Sequence, residues 1–174
     1  VHAYVDESIR GRDYILCATL LEESSVARVR QSLKTQLRGH QSRLHMAKES
    51  SETKSRLLAH VARLDTIRVI ITVRATGRSA RAARDECLNR LTTALAAEGL
   101  RRLVIESCDQ DVRDRQVVGD SLATAGLLPA VELVHHRASD EPLLWLPDIV
   151  AWAYGKSGSW RERLSPLPLT EMRF

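Results

Sequence analysis

The sequence predicts an α/β protein built on one mixed sheet, and three observations carry that expectation. The first 21 residues alternate apolar and polar side chains in two runs around a glycine-containing turn. From Ile67 onward, β-branched apolar runs alternate with segments whose apolar residues recur at helical spacing. With 174 residues, 44% of them hydrophobic, the chain is long enough to bury a core between helices and sheet as one domain, residues 1–174.

The elements follow in order. His2 to Ser8 and Asp13 to Leu21 alternate on either side of Ile9-Arg10-Gly11-Arg12, the signature of a β-hairpin. A helix is expected from about Ser24 to Arg38, where Val26, Val29, Leu33 and Leu37 form one stripe and the other faces are basic. Gly39-His40-Gln41-Ser42 breaks it. Arg43 to Glu49 reads either as a short strand or as an extended loop. Ser50 or Ser51 caps the next helix, which carries Leu57, Leu58, Val61 and Leu64. Ile67 to Ala75 is a β-branched third strand. Gly77-Arg78-Ser79 ends it, and Ser79 caps a long helix that buries Ala83, Cys87, Leu91, Ala94 and Leu95 and stops at Gly99.

Arg102 to Glu106 is the fourth strand, followed by a polar loop from Ser107 to Asp111. A helix over Asp114 to Ala125 closes at Gly126, and Ala130 to His135 is a further strand. The last clear helix holds Asp148. The tail from Ser157, rich in Ser, Gly and Pro, carries no clear element, although Trp160 is expected to pack. Setting residues 22–64 aside as a helical insertion after the second strand leaves three strands, then α-β-α-β-α. An antiparallel start followed by right-handed βαβ crossovers gives a mixed sheet with helices on both faces.

Charge narrows the partners. The net charge of +4 is too small to imply nucleic-acid binding by itself, but residues 22–64 hold nine Lys/Arg against four Asp/Glu. In that basic insertion Arg28, Arg30, Lys34, Arg38 and Arg43 are the candidates to follow a phosphate backbone; a solvated helix face accounts for the same charges. Cys17, Cys87 and Cys108 are odd in number, far apart and without a C-x-x-C pair. That argues against a disulfide framework or a zinc site, and for a reducing, cytoplasmic setting. Cys17 and Cys87 read as core residues. The chain opens directly on a strand, so no signal peptide is expected. The longest apolar run, Leu143 to Tyr154, is short and interrupted by Asp148, which excludes a membrane span as the expected partner.

Three acids stand at the polar edges of apolar elements. Asp6 follows Tyr4-Val5, Glu106 ends Leu103-Val104-Ile105, and Asp148 interrupts the helix Leu143 to Trp152. An unpaired buried carboxylate costs several kcal/mol, on the order of a lost buried ion pair, so three of them suggest a shared counter-charge. A divalent metal is the obvious candidate. Strand period sends Asp6 and Glu7 to opposite faces, so only one of them lines a common site from a regular strand. Glu7 joins only if the strand frays.

With Tyr4-Val5-Asp6-Glu7-Ser8, Glu106 and Leu146-Pro147-Asp148-Ile149-Val150-Ala151 in this order, the chain resembles a bacterial ribonuclease H-like family of unknown function. Its members open with a Tyr-Val/Ile-Asp-Glu-Ser strand and carry an acid in a late apolar helix. The resemblance covers nearly the whole chain. It implies the ribonuclease H-like fold, with metal ligands at Asp6, Glu106 and Asp148 and with Asp6 bridging two ions. The implied cofactor is Mg²⁺ or Mn²⁺, hard cations that prefer carboxylate oxygen. Two such ions about 3.5–4 Å apart would clamp a scissile phosphodiester of nucleic acid.

Auxiliary roles stay open at the sequence level. His45, Lys48 and Glu49 form a patch similar to one in the family, fitting phosphate binding or proton transfer as well as a plain surface loop. Alternation turns one of His135 and His136 inward, with His135 the auxiliary candidate. Asp109 could complete a metal shell or simply be solvated. Trp145 and Trp152 suit core packing better than base stacking. Leu144-Trp145-Leu146 serves either the core or an interface with a second copy or a protein partner. The expected function is a divalent-metal-dependent nuclease; the alternative is a non-catalytic ribonuclease H-like module that binds nucleic acid or protein.

Overall fold

The computed structural model describes residues 1–77, 79–156 and 158–174. Arg78, in the turn expected after the third strand, and Ser157, at the expected start of the tail, lie outside the described residues. The strands are β1 (His2–Arg10), β2 (Asp13–Leu21), β3 (Ile67–Ala75), β4 (Arg102–Glu106), β5 (Glu132–His136) and β6 (Leu169–Arg173). They form one six-stranded sheet in the order β5-β4-β1-β2-β3-β6. The β1–β2 and β2–β3 pairs are antiparallel; β1–β4, β4–β5 and β3–β6 are parallel. The hairpin is tighter than expected. Both strands run to within two residues of each other, and Gly11 takes the left-handed conformation (φ +57) that a short connection needs.

The helices are α1 (Glu23–Lys34), α2 (Ser51–Val61), α3 (Ala80–Ala96), α4 (Asp111–Thr124), α5 (Trp145–Lys156) and the short α6 (Gly158–Glu162). Ser50 and Ser79 cap α2 and α3, accepting from the backbone N–H of Thr53 and Ala82. The strand period of two sorts the sheet's side chains onto two faces. Tyr4, Ile15, Cys17, Val73 and Val104 pack with α5, α1 and α2. Val5, Leu16, Ile70, Leu103 and Ile105 pack with α3 and α4. Helices therefore cover both faces, as expected.

The central helix of the first face is α5, where nine residues are buried: Trp145, Leu146, Pro147, Ile149, Val150, Ala151, Trp152, Ala153 and Tyr154. A helix apolar on all sides belongs in a core, and Leu144-Trp145-Leu146 serves that core. The indole N–H of Trp145 donates to Ala138 O at 2.7 Å. Gly155 sets how closely the helix lies on the hairpin: a Cβ there would stand 2.5 Å from Arg10 Cγ and 3.0 Å from Ile15 Cδ1.

Three expectations are corrected, and the open choice for residues 43–49 falls to the loop. Helix α1 stops at Lys34 rather than Arg38. Arg43 to Glu49 is a loop with a turn over residues 46–48 and no strand. Helix α4 starts at Asp111, because that carboxylate accepts from Ser107 Oγ and Cys108 N, each at 2.7 Å, and folds the preceding loop onto the helix. The tail supplies β6, whose pairing with β3 gives order to a segment with little pattern of its own. Trp160 packs edge-on against Trp152, with ring centroids 5.2 Å apart. Among the described residues, no helix is long and apolar enough to cross a membrane.

Candidate functional site

Strands β1 and β4 lie side by side, with Tyr4 opposite Val104 and Val5 opposite Ile105. Continuing this register by one residue places Asp6 beside Glu106 at the strands' C-terminal ends. Helix α5 packs on the same face and brings Asp148 in its first turn. The side chains of Asp148 and Glu106 are 17% and 25% exposed, and Asp6, at 8%, is the deepest of the three. The N–H of Glu7 donates to Asp6 Oδ1 at 2.7 Å. Among the described residues, no Lys, Arg or His forms an ion pair with Asp6. Burial pushes the Asp6 carboxyl well above the usual carboxylate range, and the charges of Glu106 and then Asp148 push it the same way. The proximity of the Glu106 side chain and the charge of Glu7 add to the rise. Cys17 pairs with Asp6 across the hairpin, and burial, followed by the Asp6 charge, raises its thiol.

The turn segment before α2 supplies the remaining contacts. Leu44 and Met46 are buried and anchor it. Arg43 Nη1 then lies 3.4 Å from Glu106 Oε1. The N–H of Met46 donates to Asp148 Oδ2 at 2.9 Å, and His45 Nδ1 is 3.6 Å from the same oxygen. Residues from the insertion thus meet two of the three acids. Lys48 is exposed, and its N–H closes a turn on His45 O at 2.9 Å. The role of the Met46 backbone N–H could not be read from side-chain chemistry.

Other candidates lie elsewhere. Strand β1 stays regular past Glu7, which faces the opposite side of the sheet and pairs with Arg84. His135 is on that side too, with Nε2 3.5 Å from Asp114 Oδ2; its neighbour His136 pairs in register with Glu106 and is the member of the pair on the Glu106 face. Asp109 is exposed in the loop after β4. Arg30 is engaged by Glu141 through two hydrogen bonds of 3.0 and 2.9 Å, which removes it from the basic surface. Arg28, Lys34 and Arg38 are exposed on or just after α1. The Arg84 network was not foreseen: no local pattern marks Arg84, one of three arginines in a polar-looking helix, as the buried one.

The donor set Asp6, Glu106 and Asp148 is all oxygen, which suits a hard divalent cation. A deep carboxylate with two acids beside it and no cation is the observation that fits such an ion. The three acids are spaced more widely than a shared ion would hold them: among the described residues, the metal-capable donors lying within 4.8 Å of one another are Cys108, Asp111 and Asp114. Neither the models of known protein families nor the curated proteins compared with the chain give a match. The functional reading therefore rests on the residues themselves.

Proposed function

We propose that the chain is a ribonuclease H-like, divalent-metal-dependent nuclease that hydrolyses phosphodiester bonds of nucleic acid. One observation carries the reading: Asp6, Glu106 and Asp148 converge from β1, β4 and α5, and the deepest of them has no counter-charge. The order β5-β4-β1-β2-β3, with the first three strands antiparallel, supports the fold assignment. Asp6, Glu106 and Asp148 would hold Mg²⁺ or Mn²⁺. Bound there, the metal supplies Lewis acidity toward phosphoryl oxygen and lowers the pKa of water.

The chain's own residues have separable tasks. The Met46 N–H fixes the orientation of the Asp148 carboxylate. His45, half-buried, stands with Nδ1 beside the Asp148 carboxylate. Arg43 is exposed enough to exchange Glu106 for a phosphate of the substrate, with Arg28, Lys34 and Arg38 supplying positive charge along the insertion. One observation favours the alternative of a non-catalytic binding module: the Arg43 cation already sits against Glu106.

The deciding experiment incubates the native chain and Asp148→Asn with labelled DNA, RNA and hybrid substrates in Mg²⁺, Mn²⁺ or EDTA. The nuclease reading expects metal-dependent cutting that Asp148→Asn abolishes. Binding without cutting under every condition would replace it with the binding module.

A further inference from the structure

We propose that Cys108, Asp111, Asp114 and His135 form a second metal site, on the opposite face of the sheet, for a borderline ion of the Zn²⁺ class. The loop after β4 brings Cys108, and α4 presents Asp111 and Asp114 one turn apart. One donor atom from each of these three residues lies within 4.8 Å of the others. His135 enters from β5, the parallel neighbour of β4, and stands just outside that 4.8 Å group. Its side chain is 1% exposed and neither ring nitrogen has a hydrogen-bond partner. Nε2 points into the acids, 3.5 Å from Asp114 Oδ2 and 4.0 Å from Asp111 Oδ1. A buried imidazole is rarely left unpaired, and a metal satisfies it directly.

The surroundings are built to hold the ligands still. Arg84 Nε and Nη2 grip the two oxygens of the fully buried Asp114 at 2.9 and 2.7 Å. Ser107 Oγ and the N–H of Cys108 fix Asp111. Such outer contacts orient ligands and leave each carboxylate oxygen a further lone pair. Charge points the same way. Arg84 is one cation among Glu7, Asp111 and Asp114, so a negative surplus remains.

Thiolate, imidazole and carboxylate together select Zn²⁺ or Co²⁺ over Mg²⁺. Tetrahedral bonds of about 2.0–2.3 Å put ligand atoms roughly 3.3–3.8 Å apart, so binding would draw His135 and the three other donors, now within 4.8 Å of one another, closer together. On binding, the Cys108 thiol gives its proton to solvent. The ion would pin the loop directly after Glu106 to α4 and β5. The cysteine spacing argued against zinc because it holds no C-x-x-C pair; in this proposal the ligands come from separate elements, so no such pair is needed. The site is independent of the nuclease reading. In the rival arrangement His135 simply pairs with the two acids, and the thiol has no part.

The test strips the full chain with EDTA, removes the chelator and titrates Co²⁺. The native chain is expected to develop a saturable near-ultraviolet thiolate-to-cobalt band that Zn²⁺ bleaches. Cys108→Ser, a change at a half-buried position, should abolish the band, while Asp6→Asn should keep it. His135→Gln should weaken Co²⁺ binding roughly tenfold or more, with the fold checked by circular dichroism. Absence of the band in the native chain, its persistence in Cys108→Ser, or unchanged affinity in folded His135→Gln would overturn the proposal.

Discussion

Replacing Asp6 by Asn removes a charge that burial, Glu106 and Asp148 all oppose, so in EDTA the variant is expected to be more stable than the native chain. An acid whose folded-state pKa is raised keeps its proton longer in the fold than in the unfolded chain. Its favourable contribution is complete below the ordinary value of 3.8 and is lost as pH rises from there toward the raised folded value. At neutral pH the native chain holds a proton or an uncompensated charge, and both are costly. A buried group left uncompensated costs about 1–3 kcal/mol, more for a charge, and the bond from the Glu7 N–H offsets only part of it. For a chain of this length 1 kcal/mol shifts the melting temperature by about 3 °C, so Asp6→Asn should melt roughly 3–9 °C higher. The assay is thermal unfolding in EDTA from pH 4 to 8, where the native curve should fall with pH more steeply than the variant's. Mn²⁺ should reverse the order, since an ion at one hundred times its dissociation constant stabilises the native chain by about 2.7 kcal/mol. A lower melting temperature for Asp6→Asn in EDTA would refute the claim that Asp6 lacks a counter-charge.

Two arginines of the insertion should behave differently toward nucleic acid. Arg43→Ala should weaken binding and reduce the salt dependence by about one phosphate contact, whereas Arg30→Ala, already neutralised by Glu141, should leave the slope unchanged; fluorescence anisotropy across a salt series measures both. Arg84→Ala leaves Asp114 ionised in the interior and should cost about 3–5 kcal/mol by urea unfolding at neutral pH. Gly155→Ala forces a methyl against Arg10 and Ile15 and should cost about 1–3 kcal/mol in the same measurement.

Much of this was legible in the sequence, for physical reasons that can be named. The hairpin, β3, β4 and the caps at Ser50 and Ser79 follow local rules: short apolar runs about a glycine turn, β-branching and a hydroxyl before a helix. The separation of Asp6 from Glu7 followed from the strand period alone, and Glu7 does face Arg84. What stayed hidden was set by tertiary partners. Strand β6 exists because the edge of β3 accepts it. Segment 43–49 has no regular structure and is held by the burial of Leu44 and Met46, which is why its contacts with Glu106 and Asp148 could not be foreseen. The choice between His135 and His136 depended on the β5 register, and β5 runs from Glu132 to His136 rather than from Ala130 to His135.

The central claim is that Asp6, Glu106 and Asp148 together hold a divalent ion, and anomalous diffraction from crystals grown with Mn²⁺ tests it most directly. The claim predicts anomalous density bounded by these three carboxylates, lost in Asp148→Asn crystals. A native crystal at saturating Mn²⁺ with no density among them, the side chains otherwise in place, would contradict it.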